Sequence, residues 1–253
     1  MRNACAEIFL TLCLAAALCT PSALYAREDR FVWAQLDMGA DCDPYAGAQD
    51  EILSYLSSIT SVKTEPQRRL VRPDSDEIFD YPFLFLACRK APPSPDETTL
   101  RRLRLYLMSG GFIWADDVSG LASSPFGRWV KNLAENIFPD GGLKPLGKDH
   151  AVYRSFFLVD GAQGRTFAAS ALEGADADRR TALIFSRNDL LGLWLKDGAE
   201  QYVYAPSFGG EGRRMKSKML TVNILMYSLT GTYKLDAVHQ PFLLEKFRQR
   251  QAQ

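Results

Sequence analysis

Phe83-Leu84-Phe85-Leu86-Ala87 and Phe112-Ile113-Trp114-Ala115 are two continuous apolar runs separated by one helix-length segment. Short unbroken runs of this kind, closed here by Arg89 and by Asp116, are how strands covered on both faces look in sequence. Between them, Pro92-Pro93-Ser94-Pro95-Asp96-Glu97 reads as a helix start. Ser94 and Glu97 have capping-box spacing and Pro95 takes the first helical position. Leu100, Leu103 and Leu107 then recur on one helical face, and Gly110-Gly111 ends the helix. Strand, capped helix and strand make a βαβ unit, which calls for parallel strands.

The pattern extends in both directions. Arg30 to Asp37 is rich in β-formers and reads as a first strand. Asp43 as N-cap and Pro44 at the first helical position then open a helix with Ile52, Tyr55, Leu56 and Ile59 on one face. Ser61 to Arg72 is a strand region whose charges suit an edge. Downstream, Ser124-Pro125 starts a helix carrying Phe126, Trp129, Val130, Leu133 and Ile137, and Thr181 to Ser186 is another apolar strand. Arg213 to Thr230 is the last long helix of the core, closed by Gly231. The stretch through the Gly160s and Gly170s carries no regular pattern and is left unassigned. The reading is a single α/β domain over residues 27–235 with a doubly wound, mostly parallel sheet, followed by a helical tail over 236–253.

Composition narrows the function classes. Lys plus Arg and Asp plus Glu both number 30, so no net field draws the chain to nucleic acid. Arg2 precedes an apolar run from Ile8 to Cys19, and Ala23-Leu24-Tyr25-Ala26 suits a cleavage site. Residues 1–26 therefore read as a signal peptide whose apolar run is too short to span a bilayer, and the expected location is the periplasm. Cleavage removes Cys5, Cys13 and Cys19, leaving Cys42 and Cys88 where disulfides persist. No cofactor motif is complete: Gly209-Gly210-Glu211-Gly212 lacks the Gly-Lys-Ser/Thr ending of a phosphate loop. His150 and His239 are the only histidines, too few for a histidine-based zinc site. Trp33, Trp114 and Trp129 fit core positions, which leaves Trp194 as the candidate for an exposed contact.

Gly110-Gly111-Phe112-Ile113-Trp114-Ala115-Asp116-Asp117, with Tyr81-Pro82-Phe83-Leu84-Phe85, Phe138-Pro139, Asp149-His150, Ser186-Arg187-Asn188-Asp189 and Asn223 to Gly231, resembles the bacterial domain of unknown function 4159 family. The resemblance runs from about Phe31 to Gly231. It implies a flavodoxin-like, class I glutamine-amidotransferase-like fold without an established activity, and an envelope role beside von Willebrand A-type membrane proteins. Two places depart from the family pattern. Gly39-Ala40-Asp41-Cys42 stands where the family tends to have Gly-Asp-Trp, and Cys88-Arg89-Lys90 stands where it tends to have a Gly-His-Gly-like turn.

Open α/β sheets bind ligands beyond the carboxyl ends of their strands. There the expected catalytic candidates are Asp116, Asp117 and Asp189 with His150, and the expected ligand-binding candidates are Asp41, Arg89, Ser186 and Asn188. Of the adjacent pair Asp116-Asp117, one carboxylate is expected in the crevice and the other on the following turn. Facing Asp41 or Asp189, such a carboxylate would suit Mg²⁺ or Ca²⁺, or proton transfer. Cys88 lacks the small flanking residues of a nucleophile elbow. Cys42 lies in the turn after the first strand and Cys88 at the end of the Phe83 to Ala87 strand, and in flavodoxin-like order these strands are neighbours, so a Cys42–Cys88 disulfide is expected, with two small buried hydrophobes as the alternative. The expected role is a non-catalytic ligand-binding or protein-interaction domain of the cell envelope, without cofactor. The alternative is a hydrolase or transferase built on the carboxylates.

Overall fold

A computed structural model describes residues 30–138 and 141–251, with side chains throughout except at Ala40 and 231–251. The expected signal peptide lies outside the described residues. The chain forms a seven-stranded sheet in the order β2-β1-β3-β4-β7-β6-β5. Its strands are β1 (Ala34–Leu36), β2 (Arg69–Val71), β3 (Phe83–Cys88), β4 (Phe112–Asp117), β5 (Lys144–Pro145), β6 (Glu173–Ala177) and β7 (Arg180–Ser186). The five strands β2-β1-β3-β4-β7 are parallel, and β6 and β5 continue the sheet antiparallel. The helices are α1 (Ala48–Ile59), α2 (Glu97–Met108), α3 (Pro125–Ile137) and α4 (Gly210–Gln251). The expected α/β class with a mostly parallel sheet is therefore what the chain forms.

Alternation along the strands sends side chains to two separate cores. Trp33, Phe83, Phe85, Phe112, Trp114 and Ile184 pack with Ile52 and Leu56 of α1 and Leu220, Ile224 and Leu225 of α4. Leu36, Leu84, Leu86, Ile113 and Phe185 pack with Leu103 and Leu107 of α2 and Phe126, Val130 and Leu133 of α3. Two helices thus cover each face, which is why β3 and β4 are apolar at every position up to their carboxyl ends.

The Gly110-Gly111 pair has a local cause. Gly110 holds a left-handed φ of 110° after α2. At Gly111 a Cβ would sit 2.3 Å from Tyr106 Cζ. That ring lies over Gly111 because its hydroxyl meets both the Phe112 amide and the Phe112 carbonyl at 3.2 Å. Gly111→Ala should therefore destabilise the domain by about 1–3 kcal/mol, read from urea midpoints. An unchanged midpoint would show that Tyr106 moves aside freely.

Several boundaries differ from the sequence reading. The first strand is only Ala34–Leu36, with Phe31 held by an isolated bridge to Thr64. Helix α1 starts at Ala48 instead of Pro44, because the Asp43 carboxylate binds Arg68 at 2.7 and 2.6 Å and Gly47 holds a left-handed φ of 95°. Helix α2 is capped by Asp96, which accepts from the Thr99 amide at 2.7 Å, so Ser94 is not the cap. A carboxylate at that position adds a favourable charge at the helix N-terminus. Gly231 does not close the last helix, which begins at Gly210 and runs on to Gln251. One glycine costs an internal helix only about 1 kcal/mol. Strand β6 lies in the unassigned region. Trp194, expected as an exposed contact, is fully buried, with its indole N–H donating to Thr221 Oγ1 at 3.1 Å. The turn Leu191–Leu193 folds back over α1 and α4 and takes the ring with it.

Candidate functional site

Alternation along β4 decides the roles of the two adjacent acids. Even-numbered positions face α1 and α4 and odd-numbered ones face α2 and α3, so Asp116 and Asp117 leave the strand on opposite sides. Asp117 turns to the start of α3. Its Oδ1 accepts from the Ser119 amide at 2.9 Å, and its Oδ2 accepts from the Ser124 hydroxyl. Ser124 Oγ in turn accepts from the Gly127 amide at 2.7 Å, which caps the helix. Asp117 therefore supports a cap and turns away from the crevice. Ser124→Ala removes the cap and strips Asp117 Oδ2 of a donor, so a loss of about 1–2 kcal/mol is expected in chemical denaturation. A loss within a few tenths would mean that water replaces the hydroxyl.

Asp116 faces the other way and is fully buried. Its two oxygens accept from the Leu190 amide at 3.1 Å and the Leu191 amide at 2.8 Å. Beside it, Asp189 is equally buried and holds a left-handed φ of 54°. Asp189 Oδ2 accepts from the Tyr45 hydroxyl at 2.9 Å and from Arg165 Nε, while Oδ1 accepts from the Gly192 amide at 3.0 Å. The Arg165 guanidinium also donates to the Val118 carbonyl at 3.2 Å and stacks over Tyr204. Two buried carboxylates thus share a site with one guanidinium.

Burial, reinforced by the charge of Asp189, pushes the Asp116 carboxyl up to about 8, while hydrogen bonds from Leu191, Leu190 and Ser186 pull against it. Burial also raises Asp189, opposed by Arg165. The guanidinium lies on Asp189, so Asp189 carries the charge and Asp116 the proton. Between the ordinary aspartate pKa near 4 and about 8, folded Asp116 keeps a proton that the unfolded chain has released. Stability should therefore fall as pH rises through that window and level off above it. Asp116→Asn should flatten the fall in urea titrations at successive pH values. A wild-type profile already flat from pH 5 to 8 would show Asp116 ionised throughout.

The remaining candidates are distributed elsewhere. Ser186 is buried and its Oγ accepts from the Asn188 amide at 3.2 Å. Asn188 is a fastener: its Oδ1 accepts from the Ala168 and Ala169 amides, and its Nδ2 donates to the Ala162 and Ala169 carbonyls. It pins the irregular 162–170 segment to the end of β7. His150 caps the turn Ala151–Arg154 through Nδ1 and meets Thr181 Oγ1 at 3.1 Å. Burial lowers its pKa. Thr181 lies at the start of β7 beside Arg180 and Ser186 ends the strand, about 17 Å of strand apart, so His150 does not join the carboxylates. Asp41 is exposed and paired with Lys90 at 3.3 Å. Arg89 donates to the Pro44 carbonyl at 2.6 Å and lies over the Tyr45 ring. No group of three His, Cys, Asp or Glu side chains placed to hold a metal occurs among the described residues.

The chain winds from β1 to β2 on one side and returns to β3 on the other, so the winding reverses between β1 and β3. A disulfide joins Cys42, in the turn after β1, to Cys88, at the end of β3, with an S–S distance of 2.03 Å. The strand ends that flank the reversal are thus tied to each other, and the acidic centre lies between β4 and β7. Tyr45 and Arg165 belong to that centre and have no signature in the sequence. Each is a single side chain in a segment without periodicity.

A family model for a domain of unknown function, DUF4159, matches residues 32–229. The chain belongs to that family. No curated protein matches this DUF4159 domain. Among the described residues no helix is long and apolar enough to cross a membrane. The Gly-Gly-Phe to Asp-Asp stretch of the DUF4159 domain supplies both the tight exit from α2 and the two oppositely directed acids, so its residues answer to different physical needs.

Proposed function

We propose that this DUF4159 domain is a non-catalytic ligand-binding or protein-interaction module of the cell envelope, exported through residues 1–26. Its scaffold is read as flavodoxin-like and class I glutamine-amidotransferase-like. The parallel order β2-β1-β3-β4-β7 supports that reading. The observation that carries the function is the enclosure of the acidic centre: Asp116 and Asp189 are fully buried, and each of their carboxylate oxygens accepts from an internal donor. A general base must come within hydrogen-bond reach of the proton it abstracts. The Cys42–Cys88 disulfide supports an oxidising compartment. Envelope proteins of von Willebrand A type are the partners to which the family resemblance points.

Photocrosslinkers placed in cells on exposed positions around the carboxyl edge of the sheet test the reading. They should trap envelope components equally in wild type and Asp116→Asn, on a chain that begins at Arg27 and shows no free thiol when unfolded. A chain that crosslinks nothing, or one that keeps residues 1–26 with free Cys42 and Cys88, overturns it. One observation favours a second reading, a hydrolase or transferase using these carboxylates. An aspartate with its pKa pushed up to about 8 is suited to giving up a proton near neutrality. That reading requires Asp116→Asn to abolish turnover while the fold persists.

A further inference from the structure

The 162–170 segment that Asn188 pins beside the acidic centre carries Phe167 at its outer surface, 52% exposed. Phe208, 54% exposed, stands next to it with ring centroids 5.9 Å apart and edge to face. Two consecutive left-handed glycines, Gly209 and Gly210, follow Phe208 and lead into α4. The third apolar side chain is Leu121, 56% exposed, on the loop after β4. That loop abuts the same segment, because a Cβ on Gly120 would lie 2.6 Å from Thr166 Cγ2. Phe167 and Phe208 therefore meet at the carboxyl edge of the sheet, and the loop that carries Leu121 adjoins them.

Beneath the two rings lies Arg213. Its guanidinium is 4.0 Å from the Phe208 centroid and 5.4 Å from that of Phe167, and the residue is only 5% exposed. It donates to the Gly164 carbonyl at 2.7 Å, the Thr166 carbonyl at 2.6 Å and Gln163 Oε1 at 3.3 Å. All three acceptors are neutral, and among the described residues no carboxylate pairs with it. Arg165, at the same edge, is neutralised by Asp189. A buried guanidinium with neutral acceptors thus lies against two half-exposed aromatic side chains. Exposed aromatics over an arginine are the composition of a binding hot spot.

We propose that Phe167 and Phe208, mounted over Arg213, together with Leu121 on the adjoining loop, form a docking surface for a protein segment that presents a large apolar side chain flanked by Asp or Glu. The apolar residue packs against the two rings, and the acidic flanks answer the unpaired guanidinium through a partly desolvated interface. This proposal rests on the interaction reading above and assigns it a surface and a partner chemistry.

Random dodecapeptides displayed on phage and selected on the purified protein provide the probe. Enriched sequences should carry one large apolar residue beside Asp or Glu. Their synthetic versions should lose affinity at least about tenfold on Phe167→Ser or Phe208→Ser, and weaken as salt is raised. Both rings are half in solvent, so the variants should keep the wild-type melting curve, and Leu121→Ser is an independent third variant. Enrichment of basic sequences, equal binding to all variants, or no enrichment overturns the proposal. So does a Phe208-dependent association with anionic phosphatidylglycerol vesicles or with a second copy of the chain, in the absence of peptide binding. Crosslinking to envelope components that survives Phe208→Ser would leave the interaction reading standing and remove this surface. Loss of all crosslinks in wild type would remove the reading itself.

Discussion

Arg165→Met is expected to lower the stability of the domain by about 3–5 kcal/mol near neutral pH. Asp189 is fully buried, and among the described residues the guanidinium supplies the only cation bonded to it. Methionine keeps the length of the stem and its contact with Tyr204 while deleting the charge, so the measurement reads electrostatics more than packing. Removing one partner of a buried pair leaves the other charge uncompensated. The loss has a defined pH dependence. Without Arg165, the folded-state pKa of Asp189 rises further above its unfolded value near 4. The deficit is therefore smallest near that unfolded value, where the carboxyl is protonated in both states, and grows as pH rises. Urea unfolding of wild type and variant at pH 5 and pH 8 checks this. A deficit below about 1 kcal/mol at both values would place the pair among ordinary surface salt bridges.

Removal of the disulfide is the second large effect. Cys42 and Cys88 are 46 residues apart, and in the chain-entropy account a loop of that size constrains the unfolded state by about 4 kcal/mol. Both positions are buried in the core formed with α2 and α3, so the Cys42→Ala, Cys88→Ala pair also loses two small apolar side chains. Guanidinium midpoints of the oxidised protein, the reduced protein and the double variant separate the two contributions. Reduction alone should account for most of the shift. Coincident curves for the oxidised and reduced forms would mean that the crosslink constrains nothing the native contacts do not already hold.

How far the sequence discloses this depends on the range of the interaction that decides each residue. Strands β3 and β4 are legible because helices on both faces leave no polar position inside the run. Helix α3 is legible because Ser124 and Pro125 set its start locally. Strand β6 is not, since Glu-Gly-Ala-Asp-Ala has little intrinsic β preference and pairs in register only because β7 is already in place. The start of α1 is misread because Arg68, 25 residues downstream, takes the carboxylate that would otherwise cap it. The site divides in the same way. Asp116, Asp117 and Asp189 stand out as acids at strand ends, and the opposite directions of the first two follow from strand alternation. Arg165 and Tyr45 reach Asp189 across 24 and 144 residues of chain, and nothing near either residue announces that contact. Trp194 is misplaced for the same reason: its burial depends on α4, which follows later in the chain.

The sheet ends differently on its two sides, and this bears on self-assembly through exposed backbone. At β5 the outermost strand is two residues long, and one of them, Pro145, has no amide proton to offer a neighbouring chain. The opposite border, β2, has three residues and carries Leu70 at 53% exposure between Arg69 and Val71. Arg69, exposed on that border, places a positive charge along it, which discourages a second copy from zipping onto it, whereas Arg68 and Arg72 are paired with Asp43 and Asp74. Of the two described borders β2 is the one with amide protons to offer on every residue, and replacing Arg69 with threonine would remove the charge that guards it.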